Sequence, residues 1–334
     1  MSFKRMGWSM FLTRTVMAAA AAMVGILFGT GEAAAQAYPS KPVHVVVPSS
    51  PGGASDLVAR IVATSLAEHL GQPFIVENRV TSGGIIGTQQ VAQAEPDGHT
   101  LLVTFDTFAI NPFLFRNLQW DPIRDFAPVM QVCRYPQILV VHPGLGVKTV
   151  QEFVALAKKK GADLNFGSAG PASSSRLAYE LFKETAGIET VPIHYKGGGP
   201  AIRDLLAGQV QVMLIQGGGM IGQNVKSGKL AALGVSALEP TPLYPGLPTI
   251  ASTYPGFETQ SWVGMFAPAG APKPVIDRLH AALAKILADP GMKARFESQG
   301  AEIIGGTPQA LAQVLRNDQA KWSKLIRDKK IAAD

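Results

Sequence analysis

Three loops rich in glycine and serine carry the residue types that could bind an anion. The first follows a run of valines and reads PSSPGGASD at 48–56, after which a helical pattern begins. Backbone N–H groups at the start of a helix lack a helical partner and favour a carboxylate or phosphate. Two further loops of this kind occupy 81–84 and 167–174. Any one of them resembles an ordinary turn, but their recurrence favours an anion-binding site.

Each of these loops lies between a predicted strand and a predicted helix. Short β-branched runs alternate with helical patterns, which predicts an α/β fold with parallel-rich sheets. We place strands at 43–47, 74–76, 100–105, 138–141, 164–166, 191–194, 210–215, 230–235, 262–266 and, more weakly marked, 302–304. Helices are expected at 56–70, 85–94, 150–159, 174–186, 200–206, 274–287, 291–299 and 308–328.

The order of these elements predicts two lobes. The C-terminal part is almost entirely helical, and its apolar stripes need a sheet to cover. We therefore expect it to return to the first lobe, which makes residues 38–140 and 263–334 one discontinuous lobe. Residues 141–262 form the inserted lobe, and a ligand cleft is expected between the two.

The first 37 residues have the layout of a secretory signal peptide. Three basic residues precede the apolar run 16–28, and small residues follow, ending in Ala35-Gln36-Ala37. As a helix, 13 residues rise only about 20 Å, which is short of the roughly 30 Å hydrocarbon core that a membrane anchor must cross. We expect cleavage before Tyr38 and a soluble protein in the periplasm.

Composition excludes several functional classes. The chain has 334 residues, a formal charge of +6 and one cysteine, Cys133, so it contains no intramolecular disulfide. The basic clusters 158–160 and 329–330 are expected at helix ends and do not form a nucleic-acid surface. The six histidines show no metal-ligand spacing, and neither a metal nor a cofactor is expected.

Five collinear segments resemble the TctC-like, or Bug, family of periplasmic solute-binding proteins of tripartite tricarboxylate transporters. They are PSSPGGASDLVAR (48–60), SGGIIGTQQVAQAEPDGHTLL (82–102), FGSAGPASSSRLAYELFKETAG (166–187), YKGGGPAIRDLLAGQVQVM (195–213) and SGKLAALGVSA (227–237). The resemblance implies a type II periplasmic-binding-protein fold that closes on a small carboxylate and delivers it to membrane transporter subunits. It also implies that the first two loops hold one carboxylate through amides and ordered waters. We expect the protein to be a monomer.

Two departures from the family pattern bear on the ligand. The family usually has Pro-Gly-Ala where this chain has Val80-Thr81-Ser82, which adds two hydroxyl donors. A histidine commonly precedes Leu177, where this chain has Arg176. A guanidinium there could bind a second carboxylate bidentately, or it could be an exposed residue of the first helical turn.

The predicted contacts form two groups. Asp56 is expected to orient the first loop without touching the anion. Phe105, Thr107 and Phe108 either stack on an aromatic ligand or pack in the core. Candidate ligands range from C4–C6 aliphatic dicarboxylates to terephthalate. The proximal contacts are Ser49, Ser50, Gly52, Gly53, Thr81, Ser82, Gly83 and Gly84, and the distal contacts are Ser168, Ala169, Ser173 and Arg176.

Two other functions remain as alternatives. The segment GGGMIG at 217–222 matches G-x-G-x-x-G, with Glu239 about 20 residues later, as an NAD-dependent oxidoreductase requires. The motif comes late in the chain and precedes a short helix, which disfavours that interpretation. A secreted hydrolase would need Ser168 activated by a base such as His194, but no G-x-S-x-G motif is present.

Overall fold

The computed structural model of the chain describes residues 38–80 and 84–332, and the described residues from Lys41 onward belong to one compact unit. The predicted signal peptide and loop residues 81–83 lie outside the described ranges. The strands are β1 Val43–Val47, β2 Phe74–Asn78, β3 Thr100–Phe105, β4 Phe126–Val141, β5 Asn165–Ser168, β6 Val191–His194, β7 Val212–Gln216, β8 Ala231–Val235, β9 Gln260–Pro268 and β10 Glu302–Gly305.

The helices pack around these strands, and most begin and end within two residues of their predicted bounds. Helix α3 was not predicted, because Pro112 lies inside it and weakens the helical pattern, and α7 was expected only as the short helix at the GGGMIG segment. The helices are α1 Ala54–Leu70, α2 Ile85–Ala92, α3 Thr107–Leu114, α4 Val150–Lys160, α5 Ser174–Ala186, α6 Gly198–Leu206, α7 Gly219–Lys226, α8 Lys273–Leu287, α9 Pro290–Ser298 and α10 Pro308–Asp328.

The strands are connected in the order β2-β1-β3-β9-β4-β7-β5-β6, with β8 and β10 also paired to β4. β1 is parallel to both β2 and β3, and β5 is parallel to both β6 and β7. The pairs made by β4 and β9 are antiparallel. The predicted α/β class with a parallel-rich sheet is therefore confirmed.

Strand β4 joins two parts of the sheet. Its residues 126–136 pair with β9, and its residues 137–141 pair with β7 and β8. Only 138–141 was predicted, because Pro128 and Pro136 interrupt the strand pattern. The register with β9 shifts between Pro128 and Met130, and this irregularity accommodates the first proline.

The core contains clustered aromatic side chains next to α3. Phe108 is 1% exposed and lies 4.9–5.3 Å, centroid to centroid, from the rings of Trp120, Phe126 and Phe266. The core-packing alternative for Phe108 is therefore correct.

Cys133 is fully buried, as expected of a small apolar side chain. Among the described residues, no helix combines the length and apolar character needed to cross a bilayer.

The topology positions the candidate loops. Because β1, β2 and β3 are parallel neighbours, their carboxyl ends lie at one edge of the sheet. The segments that follow them begin at Pro48, Arg79 and Asp106. In the other part of the sheet, Ser168 pairs with His194 at the ends of β5 and β6.

Candidate functional site

The first loop, residues 48–53, is held in place by Asp56 in the first turn of α1. The Asp56 carboxylate is almost fully buried and accepts hydrogen bonds from Gly52 N (2.8 Å) and Asn78 Nδ2 (2.9 Å). Arg60 reaches the same carboxylate through Nε at 3.1 Å and Nη2 at 3.0 Å. These contacts orient the loop, which is the role that the sequence predicts for Asp56.

Hydrogen bonds also set the charge of Asp56. Burial of the carboxyl raises its pKa, but the opposing effects of Arg60, Gly52 and Asn78 are together larger and leave the pKa below its usual value. Asp56 is therefore ionised at neutral pH. The first loop is therefore fixed by a charged carboxylate that accepts several hydrogen bonds.

The backbone amides that could bind an anion belong to the residues directly after the predicted Gly52 and Gly53. Gly52 N donates to Asp56, and Gly53 N donates to Ser50 O at 3.1 Å, so both are used within the loop. The first helical hydrogen bond runs from Leu57 N to Gly53 O. Within the described part of the chain, the N–H groups of the three residues before Leu57 have no partner, and these are the available donors at 54–56.

The second loop lies against the first. Gly84, the residue before α2, has φ +89°, and a Cβ built there would lie 2.1 Å from Pro48 O and 2.7 Å from Pro48 Cβ. Only glycine allows this approach. Thr81, Ser82 and Gly83 lie outside the described residues, so their predicted contacts remain predictions.

The third loop satisfies much of its own hydrogen-bonding capacity. Ala169 N donates to Ser175 Oγ at 3.0 Å, and Ser173 Oγ caps α5 by accepting from Arg176 N. Ser168 is fully buried. Both Ser168 and Ala169 were predicted to contact the ligand. In the structure the Ala169 amide donates to Ser175 within the same loop. The same loop is thereby held in a fixed conformation next to Arg176.

Ser168 and His194 make the contact that a hydrolase would need, with 2.7 Å between Oγ and Nδ1. Ser168 Oγ also lies 3.2 Å from Gly170 O, which can only accept. The direction of the hydrogen bond between Ser168 and His194 depends on the tautomer of the imidazole. Ser168 is fully buried, so the contact ties the ends of β5 and β6 together and presents no exposed nucleophile.

Arg176 is half-buried at the start of α5. Its Nη1 donates to Pro171 O at 2.8 Å, while its buried Nε has no partner among the described residues. Burial lowers the pKa of Arg176 and the nearby Glu180 raises it. The pKa of His194 is lowered by burial and then by the Arg176 charge. The Arg176 guanidinium therefore has one buried, unpaired donor, Nε, beside the third loop.

Two glycines of the G-x-G-x-x-G segment are packed closely against other parts of the protein. A Cβ built on Gly217 would lie 2.5 Å from the Tyr244 hydroxyl, and one on Gly218 would lie 2.2 Å from Gln299 O. The helix that follows has only eight residues. Close backbone packing therefore explains these glycines. No group of three or more His, Cys, Asp or Glu side chains within the described ranges is arranged to hold a metal ion.

One buried chain of hydrogen bonds was missed by the sequence analysis. Ser174 Oγ lies 3.2 Å from Ser261 Oγ, and Ser261 Oγ donates to Asp106 Oδ2 at 2.7 Å. Asp106 directly follows β3, at the sheet edge where the first two loops also emerge. That position is a signal available from the sequence, but the burial of Asp106 is not.

Comparison with known proteins places the chain in a family. The model of the tripartite tricarboxylate transporter family receptor, TctC, matches residues 58–331. The chain belongs to this family of receptors. A relative from Pseudomonas sp. (strain P51), a UPF0065 protein from the tcbD-tcbE intergenic region, is 37% identical over 300 residues, covering 89% of each chain.

Solved structures support the same assignment. The periplasmic binding protein BugD is 35% identical, with a TM-score of 0.75, covering 88% of this chain and 99% of its own. An R. palustris protein solved with adipate is 32% identical, with a TM-score of 0.79 and the same two coverages. MatC from Rhodopseudomonas palustris, with bound malate, is 32% identical, with a TM-score of 0.74, covering 86% of this chain and all of its own. One of these neighbours is a periplasmic binding protein, and the other two were solved with a carboxylate, adipate or malate.

Proposed function

We propose that this protein is a periplasmic solute-binding protein that captures a small dicarboxylate and delivers it to the membrane subunits of a tripartite tricarboxylate transporter. The observation that carries the proposal is the open helix start at 54–56, which follows a loop that Asp56 holds at Gly52 and that Gly84 of the second loop approaches at Pro48. Such a helix start stabilises a carboxylate. Adipate and malate in two related structures support this ligand class.

The two ends of the ligand would be held from different parts of the chain. One carboxylate would lie at the first two loops, and the other at the third loop near Arg176. This arrangement needs the two predicted lobes, 38–140 with 263–334 and 141–262, to close around the ligand. The division of strand pairing along β4 supports that organisation. Monomeric state and export through residues 1–37 belong to the same proposal.

A melting screen tests the function directly. A matching carboxylate at 100 times its dissociation constant should stabilise the protein by about 2.7 kcal/mol, seen as a raised melting temperature. The screen compares adipate, malate and terephthalate with NAD and a simple ester. Stabilisation by NAD alone, or turnover of the ester, would contradict the proposal. A response to terephthalate greater than to adipate would identify the aromatic acid as the preferred ligand.

Arg176 should discriminate dicarboxylates from monocarboxylates. Because a hydrogen bond to a charged group contributes about 1.5–3 kcal/mol, Arg176→Ala should weaken adipate binding roughly 10- to 100-fold. Binding of hexanoate, which has the same length and one carboxylate, should change much less.

Calorimetric titration of both acids gives the two ratios, with Arg295→Ala on the exposed surface of α9 as the control. Equal losses for adipate and hexanoate would mean that Arg176 does not contact the second carboxylate.

A further inference from the structure

Asp106 is a buried carboxyl group to which the proposed function assigns no role. It is 7% exposed, and its Oδ2 accepts from Ser261 Oγ at 2.7 Å. Its other oxygen, Oδ1, is buried and has no hydrogen-bond partner among the described residues. An ionised carboxylate buried with one unpaired oxygen is costly, so the group either carries a proton or receives a donor from elsewhere.

The location of Asp106 connects it to the proposed ligand site. It follows β3, whose neighbour β1 leads into the first loop. Through Ser261 it is linked to Ser174, the first residue of α5, two positions before Arg176. The carboxyl therefore lies at the sheet edge where the first loop emerges, and it is linked through Ser261 to the start of α5, the element proposed to hold the other end of the ligand. A small cavity beside it is lined by Gln137, Ser174, Thr259, Gln260 and Trp322.

The surroundings of Asp106 favour its neutral form. Burial raises its pKa to about 7 and the negative charge of Asp318 acts in the same direction, while hydrogen bonds from Ser261, the Thr107 amide and Ser174 oppose them. Asp318, on α10, is held by Trp262 Nε1 at 2.7 Å, and burial raises its pKa to about 6. The nearby charges of Lys321 and Glu258 act on Asp318 with opposite signs.

We propose that Asp106 carries a proton while the anionic ligand is bound at the same site. This proposal rests on the carboxylate-binding function proposed above. A ligand carboxylate brings negative charge to a region where an ionised Asp106 would repel it, and closure removes the water that would screen the two charges. The protonated carboxyl group of Asp106 is neutral and removes this repulsion. It also provides an O–H donor on a side chain whose Oδ1 has no partner among the described residues. Ligand capture is then accompanied by uptake of one proton from solvent.

The test is calorimetric titration of the wild type and two variants between about pH 6 and pH 9. The ligand is whichever of adipate, malate and terephthalate binds. For the wild type, the dissociation constant should rise by up to about tenfold per pH unit above pH 7, because the unliganded protein has by then lost the proton that the complex keeps. Repeating the titration in two buffers of different ionisation enthalpy measures the proton taken up, which should approach one per ligand at about pH 8.

Asp106→Asn keeps the shape of the side chain and removes the proton exchange. It should bind the same ligand with no pH dependence in this range and with no proton uptake. Asp318→Asn is the matched control, since it removes the other buried carboxyl of this region, and it should keep the wild-type slope. The same slope and proton uptake in the wild type and Asp106→Asn would overturn the proposal.

A second measurement covers the case in which Asp106→Asn fails to fold. Infrared difference spectra of the wild type at about pH 8 should show a protonated-carboxyl band that appears on adding ligand, and its absence would overturn the proposal. If none of the three acids binds the wild type, the proposed function fails and this inference fails with it. Binding without proton uptake contradicts only the role of Asp106.

Discussion

Replacing Gly84 with valine is expected to abolish carboxylate binding and to lower the free energy of unfolding by about 3 kcal/mol. Two effects combine at this position. A β-branched side chain at φ +89° is strained, at about 1–3 kcal/mol, and the new Cβ would lie 2.1 Å from Pro48 O, so backbone must move. The movement separates the two loops proposed to hold one carboxylate, and we expect at least about a 100-fold loss of affinity, or about 2.7 kcal/mol.

Gly71→Val provides the matched control. Gly71 also has a positive φ, +75°, but a Cβ there meets nothing within 4 Å. This variant should show the strain cost without any loss of affinity. Urea unfolding gives the stabilities and calorimetric titration gives the affinities. Unchanged ligand binding in a folded Gly84→Val protein would show that ligand binding does not need the contact between the two loops.

Asp56→Asn is expected to lower the free energy of unfolding by about 2–3 kcal/mol at pH 7 and to weaken ligand binding about tenfold. The substitution removes a charged acceptor that serves Gly52, Arg60 and Asn78, and a hydrogen bond to a charged group contributes about 1.5–3 kcal/mol. The first loop then loses the contact that fixes it. Denaturant unfolding and calorimetric titration measure the two effects.

The effect of Asp56→Asn should depend on pH in a definite direction. Because the pKa of Asp56 is lower in the folded protein than its usual value, its contribution is fully present above that usual value and is lost as the pH falls through the folded pKa. The difference in stability between variant and wild type should therefore shrink in strong acid. Asp277→Asn, which removes an exposed ion pair with Lys273, should change stability by less than about 1 kcal/mol. A pH-independent difference for Asp56→Asn would contradict this account.

Local patterns predicted the α/β elements well because each buried strand and amphipathic helix has its own periodicity. Strand β4 was largely missed, since Pro128 and Pro136 interrupt its pattern and its pairing depends on β9 and β7, more than 70 residues away in the chain. Helix α3 was missed because Pro112 lies inside it. Both elements are stabilised by tertiary packing that the local sequence does not encode.

The candidate site shows the same limit. Glycine and serine at strand ends predicted where anion-binding loops would lie, and the contact of Gly84 with Pro48 brings two of them together. Which amides are free could not be predicted, because the Ala169 N–H is used by Ser175 only in the folded loop. The unpaired oxygen of Asp106 is likewise a consequence of burial, which depends on the whole fold.

Hydrogen exchange with and without ligand tests the central claim most directly. In the presence of a saturating dicarboxylate, peptides covering 48–60 and 167–178 should exchange more slowly. The amides at 54–56 would acquire a hydrogen-bond partner, and the third loop would close over the ligand. Protection of both segments together is the predicted result. Ligand binding that leaves both segments unprotected, or that protects only the GGGMIG segment at 217–222, would contradict the account.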